Sequence, residues 1–349
     1  MTDQASSASA LRHALVLGAT GAFGSHVTAA LLARGWTITA MSRDPAAARL
    51  RAGANMPIEW VGGDALVAAD VIRAARGASL IVHAVNPPKY RNWAGTVLPM
   101  LEASIAAAKA SGARILLPGS VYNYAPDSGA RIGEAAPQTP ATRKGVLRAR
   151  MEARLAEAAA EGVRSLVVRA GDFFGPAAEN SALSWLMVKA RGRARLMLQP
   201  GPATMPHAFA YLPDLARAAV AVLDREDDLA TFETFHFAGH WLTPAGLLGM
   251  VRRVTEQPRL PTFPFPWVVA RVMAPFDETL RELLEMRYLW RAPIGLDNAK
   301  LVAFVGAEPR TPLEIAIRAT LADAEEAAPL CDAKRGAGAF GWTPVGRPT

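Results

Sequence analysis

Between Ala14 and Pro45 the chain reads ALVLGATGAFGSHVTAALLARGWTITAMSRDP: a short apolar run, three glycines at Gly18, Gly21 and Gly24, an amphipathic stretch of helical period, and a second apolar run. Few short patterns restrict a fold as tightly. Strand, tight turn and helix in that order open a βαβ unit, and glycines at the turn let the backbone N–H groups of the helix start approach a pyrophosphate. The spacing is Gly-x-x-Gly-x-x-Gly, not Gly-x-Gly-x-x-Gly. The residues expected to line a phosphate are Gly18, Thr20, Gly21, Ala22, Phe23 and Gly24.

The alternation continues well beyond this unit. Apolar runs in WTITAMSR, IEWVGGD, SLIVHAV, ARILLPG and RSLVVRAG are separated by helical stretches such as LPMLEASIAAAKASG and VLRARMEARLAEAAAEG. Together with the first run these make six candidate strands before Gly171. Buried strands alternating with helices predict an α/β fold, a Rossmann-type doubly wound parallel sheet covered on both faces. After DFFGP the character changes, with tryptophans, Pro-rich joints such as PRLPTFPFPW and single basic residues. This predicts a loose tail over 1–12, a dinucleotide-binding domain over 13–175 to which 204–238 returns, and a smaller, mostly helical substrate region over 176–203 and 239–349. Asp44 and Asp214 are each expected to cap the helix that follows.

In such a fold the end of the second strand meets the adenosine ribose, where an acid binds a free 2′-hydroxyl and an arginine a 2′-phosphate. Here the strand ends in Ser42 and Arg43. NADP(H) is therefore expected, with NAD as the alternative if Arg43 points away. Asp64, in VGGDAL, is a candidate for the adenine amino group or else an ordinary loop aspartate.

Lys and Arg number 38 against 31 Asp and Glu, a formal charge of +7, but the basic residues are scattered and form no run or stripe. No nucleic-acid partner is expected; an anionic small molecule suits the same excess. The single cysteine, Cys331, cannot form an internal disulfide, which predicts a reducing compartment. No segment offers the roughly eighteen apolar residues of a membrane span, so a soluble, cytoplasmic protein is expected. The six histidines are scattered without metal spacing, and no metal site is expected. A Gly-x-Ser-x-Gly elbow is absent as well.

The motifs GATGAFG, SVYNYAP, VVRAGDFFGP and HAFAYLPDLARAAV, in that order, make the chain resemble the extended short-chain dehydrogenase/reductases, specifically the NAD-dependent epimerases and dehydratases. The resemblance implies a Ser or Thr at the end of the fifth strand and a Tyr-x-x-x-Lys pair in the next helix. The tyrosine would exchange a proton with a substrate hydroxyl or carbonyl, and the lysine would bind the nicotinamide ribose and lower the phenol from its ordinary pKa near 10. Aligned this way, Lys144 is kept, while Pro118 and Pro140 stand where the hydroxyl residue and the tyrosine belong. Ser120, two residues along the strand from Pro118 and so on the same side, is a candidate to replace the lost hydroxyl, as are Tyr122, Tyr124 and Tyr90. Ala84 and Val85 after the fourth strand join the cofactor set; Asn86, Tyr90, Phe174 and His207 form the substrate set.

Two functions follow as expectations. One is an NADP(H)-dependent oxidoreductase or epimerase-like enzyme acting on a small molecule through an atypical proton donor. The other is a redox sensor that keeps the cofactor and has lost turnover. The segment FDETLRELLEMRYLW, apolar at helical spacing, serves either as a core-facing helix or as part of a homodimer.

Overall fold

The structure is a computed structural model, and it describes residues 12–86, 93–178, 183, 186–190 and 193–326. The central strands are β1 (His13–Leu17), β2 (Thr37–Ser42), β3 (Ile58–Gly62), β4 (Leu80–His83), β5 (Arg114–Ser120) and β6 (Ser165–Ala170). Between and after them come α1 (Ala22–Leu32), α2 (Pro45–Ala52), α3 (Ala68–Ala74), α4 (Trp93–Ser111) and α5 (Arg143–Ala159). Further along lie β7 (Asp172–Phe174), β8 (Met187–Ala190), β9 (Arg193–Gln199), β10 (His207–Tyr211) and β11 (Phe232–His236), then β12 (His240–Leu242) and β13 (Thr262–Pro264).

Seven strands form the main sheet in the order β11-β6-β5-β4-β1-β2-β3, and every neighbouring pair is parallel. This is the expected doubly wound α/β sheet, and β11 adds a strand from the TFHFAG segment. The central strands β1, β4, β5 and β6 are largely apolar because both faces are covered. On one face Val16, Val82, Leu116 and Val168 pack against Val27 and Leu31 of α1 and against Leu215, Ala219 and Val222 of α6 (Leu212–Leu223). On the other, Leu15, Leu17, Ile81, Ile115 and Leu117 meet Leu101 and Ile105 of α4 and Met151 and Leu155 of α5. Alternate residues of one strand thus serve opposite cores, each buried Leu, Ile or Val stabilising the fold by roughly 1.5–3 kcal/mol.

At the carboxyl end of the sheet the chain bends out of β6. Only Gly171 separates β6 from β7, and a Cβ there would lie 2.3 Å from the carbonyl oxygen of Ala208. The backbone approach that glycine permits lets β7 leave the main sheet and pair in parallel with β10, with Asp172 opposite Phe209. β12 completes this small sheet, antiparallel to β10. A third sheet joins β8, β9 and β13. The C-terminal part adds α7 (Pro244–Val254), α8 (Trp267–Met273), α9 (Glu278–Glu285), α10 (Ala299–Val305) and α11 (Leu313–Glu326), giving the helical C-terminal region expected. Its core, with Phe174, Phe209, Tyr211, Leu247, Val251, Trp290 and Ile317, sits beyond the carboxyl ends of the strands.

The two capping aspartates behave differently. Asp44 caps α2 as expected, its side chain accepting from Ala47 N. Asp214 does not cap α6: the cap position is Tyr211, and Asp214 in the first turn accepts instead from the backbone N and hydroxyl of Thr311, 2.6 and 2.8 Å away. Its burial beside a loop 97 residues later is a tertiary tie that local spacing does not reveal.

Candidate active site

The glycine loop occupies the crevice where strand order reverses, between β1 and β4, at the carboxyl ends of the strands. Gly18 has φ +87°, and a Cβ on it would stand 2.6 Å from the carbonyl oxygen of Ala84; a Cβ on Gly24 would stand 2.0 Å from that of Gly18. The turn closes through Gly21 N donating to Gly18 O at 2.9 Å. Gly21 is the cap residue of α1 and offers no side chain to the first-turn amides, which every helix leaves without partners inside the helix. Ala22 and Gly24 present those donors, Thr20 is exposed, and Phe23 is buried in the core beneath. This cradle fits the pyrophosphate of a dinucleotide. The backbone of Ala84 and Val85 flanks it at Gly18.

At the end of β2 the Ser42 hydroxyl donates to Asp44 O at 3.1 Å and accepts from Asp44 N, while Arg43 is exposed. Asp64 is turned to its own loop, its carboxylate accepting from Leu66 N at 3.0 Å.

Across the sheet edge, β5 ends at Ser120, whose hydroxyl caps a 3-10 turn over Val121–Asn123 by accepting from Tyr122 N at 3.2 Å. This turn rests on the start of α5: a Cβ on Gly145 would lie 2.2 Å from Tyr122 O and 2.8 Å from the Pro140 side chain. The Tyr122 backbone is thereby set against the first turn of α5, which carries Lys144. Thr142 caps α5 by accepting from Gly145 N, as a helix start near that residue requires. The half-buried Tyr122 donates its hydroxyl to Asp172 Oδ1 at 2.7 Å, and Asp172 Oδ2 accepts from His207 Nε2 at 2.8 Å. His207 Nδ1 donates to Leu289 O at 3.0 Å, and the ring stacks on Trp290 with centroids 4.0 Å apart. Burial works to raise the Asp172 carboxyl, but the His207 hydrogen bond and charge, the Tyr122 hydroxyl and the Lys144 charge together hold it below its ordinary value.

Tyr124 points elsewhere. It is fully buried, and its hydroxyl accepts from Arg169 at 2.8 Å and donates to His236 Nε2 at 3.2 Å. Arg169 is paired with buried Glu152 at 2.6 Å, and Glu152 also accepts from Asn123 and Gln138. Burial pushes the Tyr124 phenol up to about 12. A phenol so enclosed holds β6, α5 and β11 together, and the geometry removes it from the candidate proton donors. Phe174 is likewise buried, against Phe209, Tyr211 and His240, in the C-terminal core. Asn86 lies exposed after β4 and accepts from Arg148 at 3.3 Å. Tyr90 lies outside the described residues.

Lys144 is almost wholly buried and forms an ion pair with Glu282 of α9 at 3.0 Å. Arg143 beside it pairs with Glu285. The segment FDETLRELLEMRYLW thus presents acids to the start of α5. Sequence reasoning missed Glu282, Trp290 and above all Asp172, although Asp172 stands inside the quoted motif VVRAGDFFGP. The signal was its place two residues past the sixth strand, where ligands bind in this architecture.

Over residues 14–237 the sequence matches the model of the NAD dependent epimerase/dehydratase family. The chain belongs to that family. A comparison with curated proteins finds no match. Among solved structures, a putative epimerase from Burkholderia cenocepacia is similar at TM-score 0.71 and 18% identity, over 90% of this chain and 98% of its own. UDP-glucose 4-epimerase from Thermotoga maritima, with UDP-glucose, has TM-score 0.70 and 17% identity over 90% and 99%. UDP-glucuronic acid 4-epimerase from Bacillus cereus, with UDP-glucuronic acid and NAD, has 0.70 and 14% over the same shares. At these identities the likeness is one of fold. The NAD-dependent epimerase/dehydratase fold therefore extends over nearly all of this chain, including residues beyond the family match.

Proposed function

We propose that this member of the epimerase/dehydratase family is an NADP(H)-dependent oxidoreductase or epimerase-like enzyme, interconverting a secondary alcohol and a carbonyl in the cleft beside β7. The observation that carries this reading is the half-buried Tyr122 hydroxyl, held at the carboxyl edge of the sheet by Asp172, a carboxylate that also feels the Lys144 charge. The bound dinucleotide would accept or supply the hydride. The chain's own residues do the rest: the α1 amides hold the pyrophosphate, Arg43 the 2′-phosphate, Lys144 the nicotinamide ribose, and Tyr122 moves the proton. On this reading Tyr122 takes over from the tyrosine that Pro140 replaces, and Ser120 fixes the turn that carries it in place of the hydroxyl lost at Pro118.

The domain limits given above, with the substrate region over 176–203 and 239–349, are part of the proposal. So is a homodimer. The sugar nucleotides bound by two of the solved relatives make that class the first to screen. The test is calorimetric binding of NADP+, NADPH, NAD+ and NADH, followed by a screen of alcohols and carbonyls read by nicotinamide absorbance. Binding with substrate-dependent absorbance change supports the enzyme. Clearly different affinities for oxidised and reduced cofactor with no turnover support a sensor instead, a reading favoured by the pairing of Lys144 with Glu282.

A further inference from the structure

Asp172 and His207 are not needed to hold the small sheet together, since β7 and β10 pair through their backbones. Yet the two side chains are nearly buried, at 12% and 3% exposure, and joined to each other and to Tyr122. Hydrogen bookkeeping fixes how. An ionised carboxylate can only accept, and so can the carbonyl of Leu289. Asp172 Oδ1 therefore accepts a hydrogen bond from the Tyr122 hydroxyl, and both ring nitrogens of His207, facing Asp172 and Leu289, carry hydrogen. Lys144 adds positive charge near the carboxylate, and Tyr288 is also close enough to feel it. With its proton committed to Asp172, the Tyr122 oxygen can meet a ligand only as an acceptor.

We infer that Tyr122, Asp172 and His207 work as one proton-accepting unit, which in the resting protein takes its ligand as a hydroxyl donor, a secondary alcohol. This rests on the oxidoreductase reading above and gives it a starting direction. As the alcohol is oxidised its O–H bond breaks and the proton passes to Tyr122 Oη. The phenol's own proton passes to Asp172 Oδ1. The C–H bond breaks with its electron pair leaving as hydride to the oxidised nicotinamide nucleotide, the carbonyl forms, and Asp172 ends as a neutral acid. Tyr122 is the residue that touches substrate; Asp172 acts through it, and His207 is a positioning residue that supplies the counter-charge. The neighbours that hold the carboxyl below its ordinary value keep it ionised in the resting protein, and so an acceptor for the Tyr122 hydroxyl.

Proton NMR of the full-length protein without cofactor tests this independently of the cofactor reading. Two exchange-protected downfield protons are expected, one lost in Tyr122→Phe and the other in His207→Gln, and both lost or shifted in Asp172→Asn. Their absence from the wild type, or their survival in Asp172→Asn, overturns the unit. Trifluoroethanol, a small donor alcohol, should shift the Tyr122 resonance while its methyl ether does not; any other pattern overturns the acceptor role. With a substrate from the absorbance screen, Asp172→Asn should lower kcat by about 100-fold or more at unchanged dinucleotide Kd, and an unchanged kcat overturns the relay. Failure of the wild type to bind any nicotinamide nucleotide instead overturns the enzyme reading and leaves the NMR result standing.

Discussion

Lys144 Nζ lies 3.0 Å from Glu282 Oε2, and neither side chain is more than 16% exposed. The lysine proposed to hold the nicotinamide ribose is thus already held by a carboxylate from a helix that follows it by well over a hundred residues. Cofactor must compete with Glu282 for the ammonium. Glu282→Gln removes the competing charge and the ion pair together. We expect lower stability of the free protein, by about 2 kcal/mol for a lost charged hydrogen bond, and dinucleotide affinity raised several-fold. Thermal melts and calorimetry read the two effects; a weaker dinucleotide affinity would show that Glu282 assists binding.

The glycine loop yields a graded pair of substitutions. A Cβ at position 24 meets the Gly18 carbonyl oxygen at 2.0 Å, whereas one at position 21 meets it at 3.2 Å. Backbone cannot yield 1 Å without moving α1, but a few tenths of an ångström are available. Gly24→Ala should abolish nucleotide binding and lower the melting temperature markedly, while Gly21→Ala should keep the fold and weaken binding. Equal behaviour of the two variants in a nucleotide titration would refute this account of the loop.

Arg43 is exposed at the end of β2, with the Ser42 hydroxyl turned back to Asp44. If its guanidinium meets the 2′-phosphate, Arg43→Ala removes a charged contact of about 1.5–3 kcal/mol from NADP+ binding and none from NAD+. The ratio of the two dissociation constants should then move toward NAD+ by roughly ten- to a hundred-fold. An unchanged ratio would mean that Arg43 faces away from the ribose.

The parts of this fold that were legible in the sequence are those written in local repetition. Short apolar runs alternating with helical stretches gave the parallel sheet, and the glycines gave the turn that aims α1. Asp44, a short polar residue at a helix start, could be placed for the same reason. What stayed hidden depends on long-range meetings. Asp214 was readable as a cap but is spent on Thr311; Tyr124 and Tyr122 look alike in SVYNYAP, yet one residue turns into the Arg169–Glu152 network and the other onto Asp172. Two positions along a 3-10 turn suffice to reverse their surroundings. Glu282 could not be paired with Lys144 without knowing how α9 returns.

Two buried histidines set how the fold responds to acid. Burial, with the Arg148 charge, lowers His83 to about 3; burial, with the Arg169 charge, lowers His236 to about 4. His83 Nδ1 is bonded to the Ser104 hydroxyl and its Nε2 is buried without a hydrogen-bond partner; His236 Nε2 serves as acceptor for Arg169 and Tyr124. Neither ring has an acceptor waiting for a second proton. Both values are depressed below the 6.5 of an unperturbed histidine, so below that pH the unfolded chain binds protons that the native protein does not. Stability from these residues is complete above pH 6.5 and is lost as pH falls, by up to about 1.4 kcal/mol per pH unit for each histidine. The loss from His236 levels off near pH 4 and that from His83 near pH 3. Urea denaturation at successive pH values should trace this decline, and His236→Asn, itself less stable at neutral pH, should lose part of the slope between pH 6.5 and 4, His83 and the likewise depressed His240 keeping theirs. A stability curve flat across that interval would mean that the rings accept their second proton in the native state.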